Sequence, residues 1–379
     1  NFLKPGAFTC WPPLLAGVLI TFLTAWALNY QNEYQVRSYT NGLADKAETL
    51  IEQRFQHFEY GLRGARGAVI ATGVNNITRK QFERYSNSRD VAYEFPGALG
   101  FGFIRRVPVE QEPSFIAHAR EDDAPNFSIR TLIPHDKDRF VIQYIYPVDK
   151  NRQAIGLDIG SEANRRSAAI LAARNDKSYL TAPITLVQVN KKPRKGALVL
   201  FPIYSDDMPL DSPEARENAV IGWSYAPLVI DDVLAGIEKL TDQASVALTN
   251  RTESEPFYHS KDIDAHDLLK EKVARNIFVL GQHWKMELTP SVQAINRVRS
   301  WPIDWVIIFG LGLTLCSFFI INLLRTHHLE EDQEDAIYQL SFQSILAFLK
   351  TPQFKQPYPF ALLVIVLIFA VSSGLILQS

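Results

Sequence analysis

The sequence has few cysteines, and this scarcity narrows the classes of protein to which the chain can belong. Only Cys10 and Cys316 occur among 379 residues, and both lie at the edge of or within long apolar segments. The charged stretch between those segments has none, so no disulfide holds it and its stability has to come from an apolar core. This pattern favours a bacterial periplasmic domain over an animal extracellular module.

Motifs for catalysis and for metal or cofactor binding are also missing. The charged stretch has no spacing typical of a Ser/His/Asp, a Cys/His or a metal-binding constellation. His327 and His328 are adjacent, so on a helix their side chains diverge by about 100° and do not share a metal. We therefore expect no metal and no cofactor. With 39 basic and 41 acidic residues the net charge is only −2, and nucleic acid is not expected as a partner.

Three long apolar segments stand out instead. Each has about the 20 residues that a helix needs to cross a bilayer, and we predict transmembrane helices at residues 11–30, 303–324 and 359–378. Lys4, Arg325 and Lys350 flank these segments on one side. The excess of basic residues on the cytoplasmic side then places residues 1–10 and the loop 325–358 inside the cell and residues 31–300 outside. This predicts a multi-pass protein of the bacterial inner membrane with a periplasmic domain.

A long amphipathic helix is predicted directly after the first apolar segment, over residues 31–72. Its apolar residues recur at steps of three or four, beginning with Val36, Tyr39, Leu43 and Ala47. Such a helix has two uses, which the sequence leaves open. It can pack on its own domain, or it can pair with the same helix of a second subunit in a homodimer.

Beyond this helix, strand and helix patterns alternate, which is typical of an α+β protein. We expect two lobes, a larger one at about residues 78–225 and a smaller one at about 226–300. Strands are expected in the aromatic and β-branched runs, at residues 95–104, 140–146, 179–189, 196–204 and 219–225. Helices are expected at residues 78–88, 113–120, 162–174 and 229–240.

One turn in this pattern draws attention to Asp158. The run Gly156–Ser161 lies between the strand 140–146 and an alanine-rich helix, and Ser161 is in position to cap that helix. Backbone donors at such a turn can hold the carboxylate ionised while it turns toward the N–H groups of a small ligand. The alternative interpretation is that Asp158 or Ser161 merely caps the helix.

Taken in order, several stretches resemble the CHASE domain, a sensory module found outside the membrane in bacterial receptors and plant cytokinin receptors. They are residues 96–107, 142–147, 156–161 with 165–169, 180–183 and 200–204. The resemblance implies a long stalk helix that carries two PAS-like lobes, with the ligand in the lobe distal to the membrane.

The resemblance also implies a ligand site. Asp158 would contact ligand N–H groups, and the backbone at Leu180, with Thr181 beside it, would take part. The apolar wall of the site is expected from Phe101, Phe103, Tyr144, Tyr146, Phe201 and Tyr204. Gln143 and the basic stretch 191–195 leave the chemistry of the ligand open.

The leading hypothesis is therefore the sensory half of a transmembrane receptor. A small molecule would bind outside and the helices would signal to a cytoplasmic histidine kinase or diguanylate cyclase domain that this sequence does not contain. One alternative is a structural or assembly subunit of a membrane complex. Another is an extracytoplasmic enzyme, in which Asp158 with His135 or Asp136 performs acid/base chemistry.

Overall fold

In the computed structural model the described chain forms two compact units. One comprises residues 39–295, and the other comprises residues 11–38 together with 296–328 of the described chain. The structure describes residues 11–186, 194–237, 243–251, 253–260, 272–300 and 302–328. The predicted third span, the N-terminal residues 1–10, nearly all of the loop 325–358 and most of the basic stretch 191–195 lie outside the described residues.

Helices and strands are mixed along the described chain, as an α+β fold requires. The helices are α1 (Trp11–Thr72), α2 (Arg79–Asn87), α3 (Val91–Glu94), α4 (Glu112–Glu121), α5 (Val148–Asn151), α6 (Ala163–Asn175), α7 (Pro213–Ala219), α8 (Ile230–Val233), α9 (Val292–Val298) and α10 (Ile303–His328). The strands are β1 (Phe101–Val107), β2 (Arg130–Thr131), β3 (Arg139–Tyr146), β4 (Leu157–Asp158), β5 (Tyr179–Leu180), β6 (Ile184–Leu186), β7 (Arg194–Tyr204), β8 (Val220–Val229), β9 (Ala244–Asn250), β10 (Tyr258–His259), β11 (Val273–Val279) and β12 (Gln282–Pro290).

The predicted long helix is confirmed, and it is continuous with the first apolar segment. Helix α1 runs for 62 residues without a break. Leu43 and Ala47, from the predicted apolar stripe, lie in the core of their own domain with Ile51 and Phe55. Of the two uses that the sequence left open, the structure shows packing on the domain for this part of the stripe.

The larger sheet lies between α1 and α6. Its strand order is β2-β4-β3-β1-β8-β7-β5, with β6 paired to β7, and its pairs are antiparallel except β2 with β4. One face packs against α1 so closely that a Cβ on Gly61 would lie 2.3 Å from the Phe101 ring. The other face meets α6, where the Trp223 indole donates to the carbonyl of Ala169 at 2.9 Å.

The smaller sheet packs on an earlier stretch of the same helix. Its order is β10-β9-β12-β11, all antiparallel. Alternate residues of β9 are buried, as is typical of a strand with one face on the core. Trp284 of β12 meets Phe55 of α1 edge to face, with ring centroids 5.2 Å apart, and this aromatic contact fixes the sheet on the helix.

The second unit contains two helices that are long and apolar enough to cross a membrane, judged by length and composition. They are the start of α1 and the segment Ile303–Asn322 of α10. The two approach each other through small residues. A Cβ on Gly17 would lie 2.6 Å from Thr314, and one on Gly310 would lie 2.5 Å from Thr21. Glycine at these positions allows the helices to come close.

Candidate functional site

Asp158 lies at the end of β4 with its carboxylate fully buried. Its Oδ1 atom accepts hydrogen bonds from the backbone N–H groups of Phe140, at 2.8 Å, and Gly160, at 2.9 Å. Its Oδ2 atom lies 2.7 Å from Nε2 of His135. Backbone donors thus hold the carboxylate at a strand-to-helix turn, and a histidine covers its remaining oxygen.

The local sequence explains this turn. Gly156 has a φ of +80°, and a Cβ there would lie 2.3 Å from the carbonyl oxygen of Ser128, so the position requires glycine. Residues Ile159–Ser161 then form a single 3₁₀ turn that Asp158 caps through Gly160. The predicted cap of the next helix was wrong. Glu162 caps α6 instead, because its carboxylate accepts from the N–H groups of Asn164 and Arg165.

Arg166 supports the turn from α6. It donates to the carbonyl of Gly160 at 2.8 Å and to that of Asp138 at 2.5 Å, and its guanidinium lies 4.3 Å from the centre of the Phe140 ring. Burial lowers the pKa of the Arg166 guanidinium, and the charges of Asp158 and Asp138 oppose that shift. Arg166 therefore brings a positive charge close to the buried Asp158.

Asp158, His135 and Ser161 lie together, but their hydrogen bonds are not those of a hydrolytic triad. The Ser161 hydroxyl donates to the backbone carbonyl of Asp158 at 2.5 Å and accepts from the N–H of Leu132 at 2.8 Å. Nδ1 of His135 accepts from the N–H of Lys137 at 3.2 Å. In a triad one imidazole nitrogen faces the carboxylate and the other faces the nucleophilic hydroxyl, whereas here Nε2 faces Asp158 and Nδ1 accepts from Lys137. The Ser161 hydroxyl therefore has no imidazole base here, whereas the contact of His135 with Asp158 is one of the two pairings that the enzyme hypothesis named.

The six aromatic residues of the predicted wall do not surround Asp158. Phe101, Phe103 and Phe201 face α1, where Arg63 and Arg66 also lie over the Phe201 ring. Tyr144 packs beside Phe103, and Tyr146 pairs with Phe101 across the strands. Tyr204 points to the opposite face, where its hydroxyl donates to the carbonyl of Ala173 at 2.6 Å. Strand alternation alone separates Tyr204 from Phe201, because they are three residues apart.

Leu180 and Thr181 lie at the other end of the sheet, at β5. The N–H of Leu180 donates to the carbonyl of Leu280 at 2.8 Å, and its carbonyl accepts from the Gln282 side chain at 2.7 Å. The Thr181 hydroxyl accepts from the N–H of Leu198 at 3.0 Å. The backbone groups of Leu180 thus already bind the turn between β11 and β12 of the smaller sheet.

A pair of hydrogen bonds that the sequence did not reveal connects the turn at Asp158 with the segment after Leu180. Asn164, at the start of α6, accepts from the N–H of Ala182 at 2.9 Å and donates to the carbonyl of Ala182 at 3.2 Å. Ala182 directly follows Thr181, and α6 begins five residues after Asp158. Helix α6 therefore connects the turn at Asp158 with the segment after β5. An asparagine in the first turn of a helix carries no sequence signal for such a distant contact.

Two surface clefts on the described part of the chain are not lined by Asp158. One, of about 400 Å³, is lined by residues 86–92 with Tyr146 and Pro147. Another, of about 340 Å³, lies on α1 beside Tyr93 and Pro96. Of the predicted site residues, only Tyr146 lines either cleft.

The fold is a mixed α+β domain on a long N-terminal helix, and its buried carboxylate is held by two backbone donors and His135. Residues 75–258 match the family model of the CHASE domain. The resemblance drawn from the sequence is thereby confirmed, and the chain carries a CHASE sensory domain.

Two comparisons with individual proteins accompany this match. The chain is 21% identical over 350 residues to Histidine kinase 3 of Arabidopsis thaliana, in an alignment that covers 83% of the chain and 32% of that protein. The chain thus spans about a third of the length of this relative. Among solved structures, a Methyl-accepting Chemotaxis protein X is similar with a TM-score of 0.37 and 11% identity, over 69% of this chain and 96% of that one.

Proposed function

We propose that this chain is the sensory half of a transmembrane receptor of the bacterial inner membrane. A small molecule binds in the larger, PAS-like lobe on the periplasmic side, and α1 and α10 carry the signal to a cytoplasmic histidine kinase or diguanylate cyclase domain. The observation that carries this proposal is the continuity of α1. One helix is a candidate membrane span at its start and contributes to the core of the CHASE domain further along.

The ligand site that we propose is centred on Asp158. Two backbone donors fix the orientation of its carboxylate. The positive charge of Arg166 lies close to it. Such an acceptor favours a ligand with N–H groups, since hydrogen bonds to an ionised carboxylate are the stronger kind. Leu180 and Thr181 remain part of the proposed site, and α6 connects them to the turn that holds Asp158.

A homodimer is also part of this proposal, but the surface for it differs from the predicted stripe. Leu43 and Ala47 are buried in the domain core. Gln53, His57 and Tyr60 of α1 are exposed instead, and their spacing of three and four residues places them on one side of the helix. This surface is available to a second subunit.

The membrane arrangement is tested by single cysteines in an otherwise cysteine-free chain in intact cells. A cysteine at Asn126 should react with a membrane-impermeant thiol reagent, because the sensor domain is periplasmic. One at Gln333 should not react until the membrane is permeabilised. Labelling at Gln333 alone in intact cells would contradict the proposed orientation.

Ligand binding is tested with the full chain purified in nanodiscs. Small molecules released by heating are identified by mass spectrometry, and the identified compound is titrated back. Asp158→Asn should lower its affinity roughly tenfold to a hundredfold, because one carboxylate oxygen becomes an amide donor. Asp149→Asn is the matched control, since the Asp149 side chain is 94% exposed.

The same preparation separates the receptor from the alternatives. If no small molecule is released and a membrane protein co-purifies in a fixed ratio, the assembly subunit hypothesis gains support. If the compound binds equally well to Asp158→Asn and to the wild-type chain, the site is not centred on Asp158.

A further inference from the structure

We infer that His135 is a removable plug of the Asp158 site. The His135 loop, residues 132–137, leaves as a unit without unfolding of the domain and opens the carboxylate to an N–H donor from outside. This inference rests on the proposed ligand role of Asp158, and it concerns how access to that site is controlled.

The three donors around Asp158 differ in their freedom to leave. Two are backbone N–H groups of the framework, from Phe140 in β3 and from Gly160 in the 3₁₀ turn. The third is the side chain of His135, which comes from a loop 23 residues earlier in the chain. The backbone donors can depart only if the sheet or the turn breaks, whereas His135 can depart by a loop movement.

His135 acts on Asp158 as an N–H donor. Because Nδ1 accepts from the N–H of Lys137 at 3.2 Å, the ring proton is on Nε2. That proton points at Oδ2 of Asp158, at a heavy-atom distance of 2.7 Å. An outside N–H donor would therefore take over the bond that His135 makes and would leave Asp158 with the same three hydrogen bonds.

The His135 loop contributes one side chain to the interior. Of the residues from Thr131 to Lys137, His135 is the one that is not exposed. Leu132 and Ile133 are 50% and 58% exposed, so these apolar residues do not anchor the loop in the core. The loop is also tied by the N–H of Leu132 to Ser161 and by Arg139, which donates to the carbonyl of His135. The loop ends before Asp138, which is held in place by Arg106 and Arg166.

The His135 side chain also closes the site physically. The carboxylate of Asp158 is fully buried, while the His135 side chain is 14% exposed at its outer edge. Removal of the imidazole leaves a space of its own size that ends at Oδ2. This space suits a flat N–H heterocycle.

Departure of the loop is tested on the wild-type full chain in nanodiscs, without any ligand. Diethyl pyrocarbonate modifies accessible imidazoles, and mass spectrometry measures the rate at His135 in low concentrations of urea. We expect a rate that does not change with urea below the unfolding transition, because local opening exposes little new surface. A rate that rises with the full urea dependence of global unfolding would overturn the inference.

The vacated position is tested with His135→Gly and two small probes at pH 8. Imidazole has an N–H donor, whereas 1-methylimidazole has nearly the same shape and none. In the variant we expect imidazole to bind at least roughly tenfold more tightly than 1-methylimidazole, measured by the shift of the melting temperature. The wild-type chain and His118→Ala, which removes an exposed histidine of α4, should not respond, because the tethered His135 outcompetes a free probe.

The second variant identifies the acceptor. In His135→Gly with Asp158→Asn, the amide is a donor, so the preference for imidazole over 1-methylimidazole should disappear. Equal binding of both probes to His135→Gly would overturn the inference. Failure of His135→Gly to fold would overturn it too, since a removable plug has to be dispensable for folding. Neither experiment uses a natural ligand, so their failure is distinguishable from failure of the proposed receptor function.

Discussion

The two faces of the larger sheet are covered by helices in different ways. On the α1 face, large side chains come from both sides, as where Phe58 and Leu62 of the helix join Phe101 and Phe201 of the sheet in one core cluster. On the α6 face the helix contributes alanines, and the bulk comes from the sheet. The polar ends of Trp223 and Tyr204 also bind carbonyl groups of α6.

This difference shows where the domain can change shape. A surface in which bulky groups interlock loses many contacts when either side moves. A helix with small side chains, held by hydrogen bonds at its carbonyl groups, can shift with fewer losses. Asp158 and the His135 loop lie at the start of α6, on the side that is easier to rearrange. The α1 face instead keeps the sheet fixed to the helix that enters the proposed membrane span.

The largest effect is expected on the α1 face. Phe103 is fully buried among Ala65, Val69 and Tyr144, and Phe103→Ala leaves a cavity there. We expect a loss of about 3–5 kcal/mol in the free energy of unfolding, measured by urea denaturation of the full chain in detergent. Phe278→Ala, at a phenylalanine that is 54% exposed, is the control with little loss. A loss below about 1 kcal/mol for Phe103→Ala would contradict an interlocked α1 face.

A smaller effect is expected from overfilling the α6 face. Ala169 is fully buried opposite Trp223, so Ala169→Leu pushes the helix outward. We expect a loss of about 1–3 kcal/mol in the same urea assay. Ala163→Leu, at the exposed start of α6, should change stability little. If Ala169→Leu costs as much as Phe103→Ala, the two faces do not differ in the way proposed.

Sequence reasoning predicted elements better than it predicted the partners of side chains. The long helix, the alternating strands and the turn at Asp158 follow from local periodicity, and the structure contains them. The predicted helix at 229–240 appears as the short α8 (Ile230–Val233). His135 was considered as a partner of Asp158 in the enzyme hypothesis, but no local pattern could give the direction of the bond across 23 residues.

The six residues of the predicted aromatic wall were chosen by residue type, and residue type does not show which face of the sheet a side chain occupies. Aromatic residues identify strands that pack on both faces, because either face needs bulk. Period two could have separated Tyr204 from Phe201. It could not tell which face meets α1 and which meets α6, since that depends on how the whole chain crosses the sheet.

A third, more modest effect is expected from Tyr144, a tyrosine on the α1 face with several partners. Its hydroxyl lies 2.7 Å from the carboxylate of Asp122 and 3.0 Å from the Gln143 amide nitrogen. Tyr144→Phe should therefore cost about 1–2 kcal/mol near pH 7.

The pH dependence of this variant gives a second readout. Burial raises the pKa of Tyr144, and the hydrogen bond to Asp122 adds to that shift. The folded state therefore keeps the phenol proton more tightly than the unfolded state does. The stabilisation is present below pH of about 10 and is lost as pH rises above it. Urea titrations measure the free energy of unfolding at pH 8 and at pH 10.5. The decrease from pH 8 to pH 10.5 should be smaller for Tyr144→Phe than for the wild-type chain.

The smallest effect is expected from Tyr225, a tyrosine on the α6 face. Its hydroxyl is buried and has no hydrogen-bond partner among the described residues, and burial raises its pKa. An unpaired buried hydroxyl costs free energy, so Tyr225→Phe should leave stability unchanged or raise it by less than about 1 kcal/mol. Tyr204→Phe is the matched control on the same face, because its hydroxyl donates to Ala173, and it should lose about 1 kcal/mol. If Tyr225→Phe instead loses more than Tyr204→Phe, the Tyr225 hydroxyl has a buried water or a bound molecule as its partner. The α6 face would then be a binding surface as well as the side of the sheet that rearranges more easily.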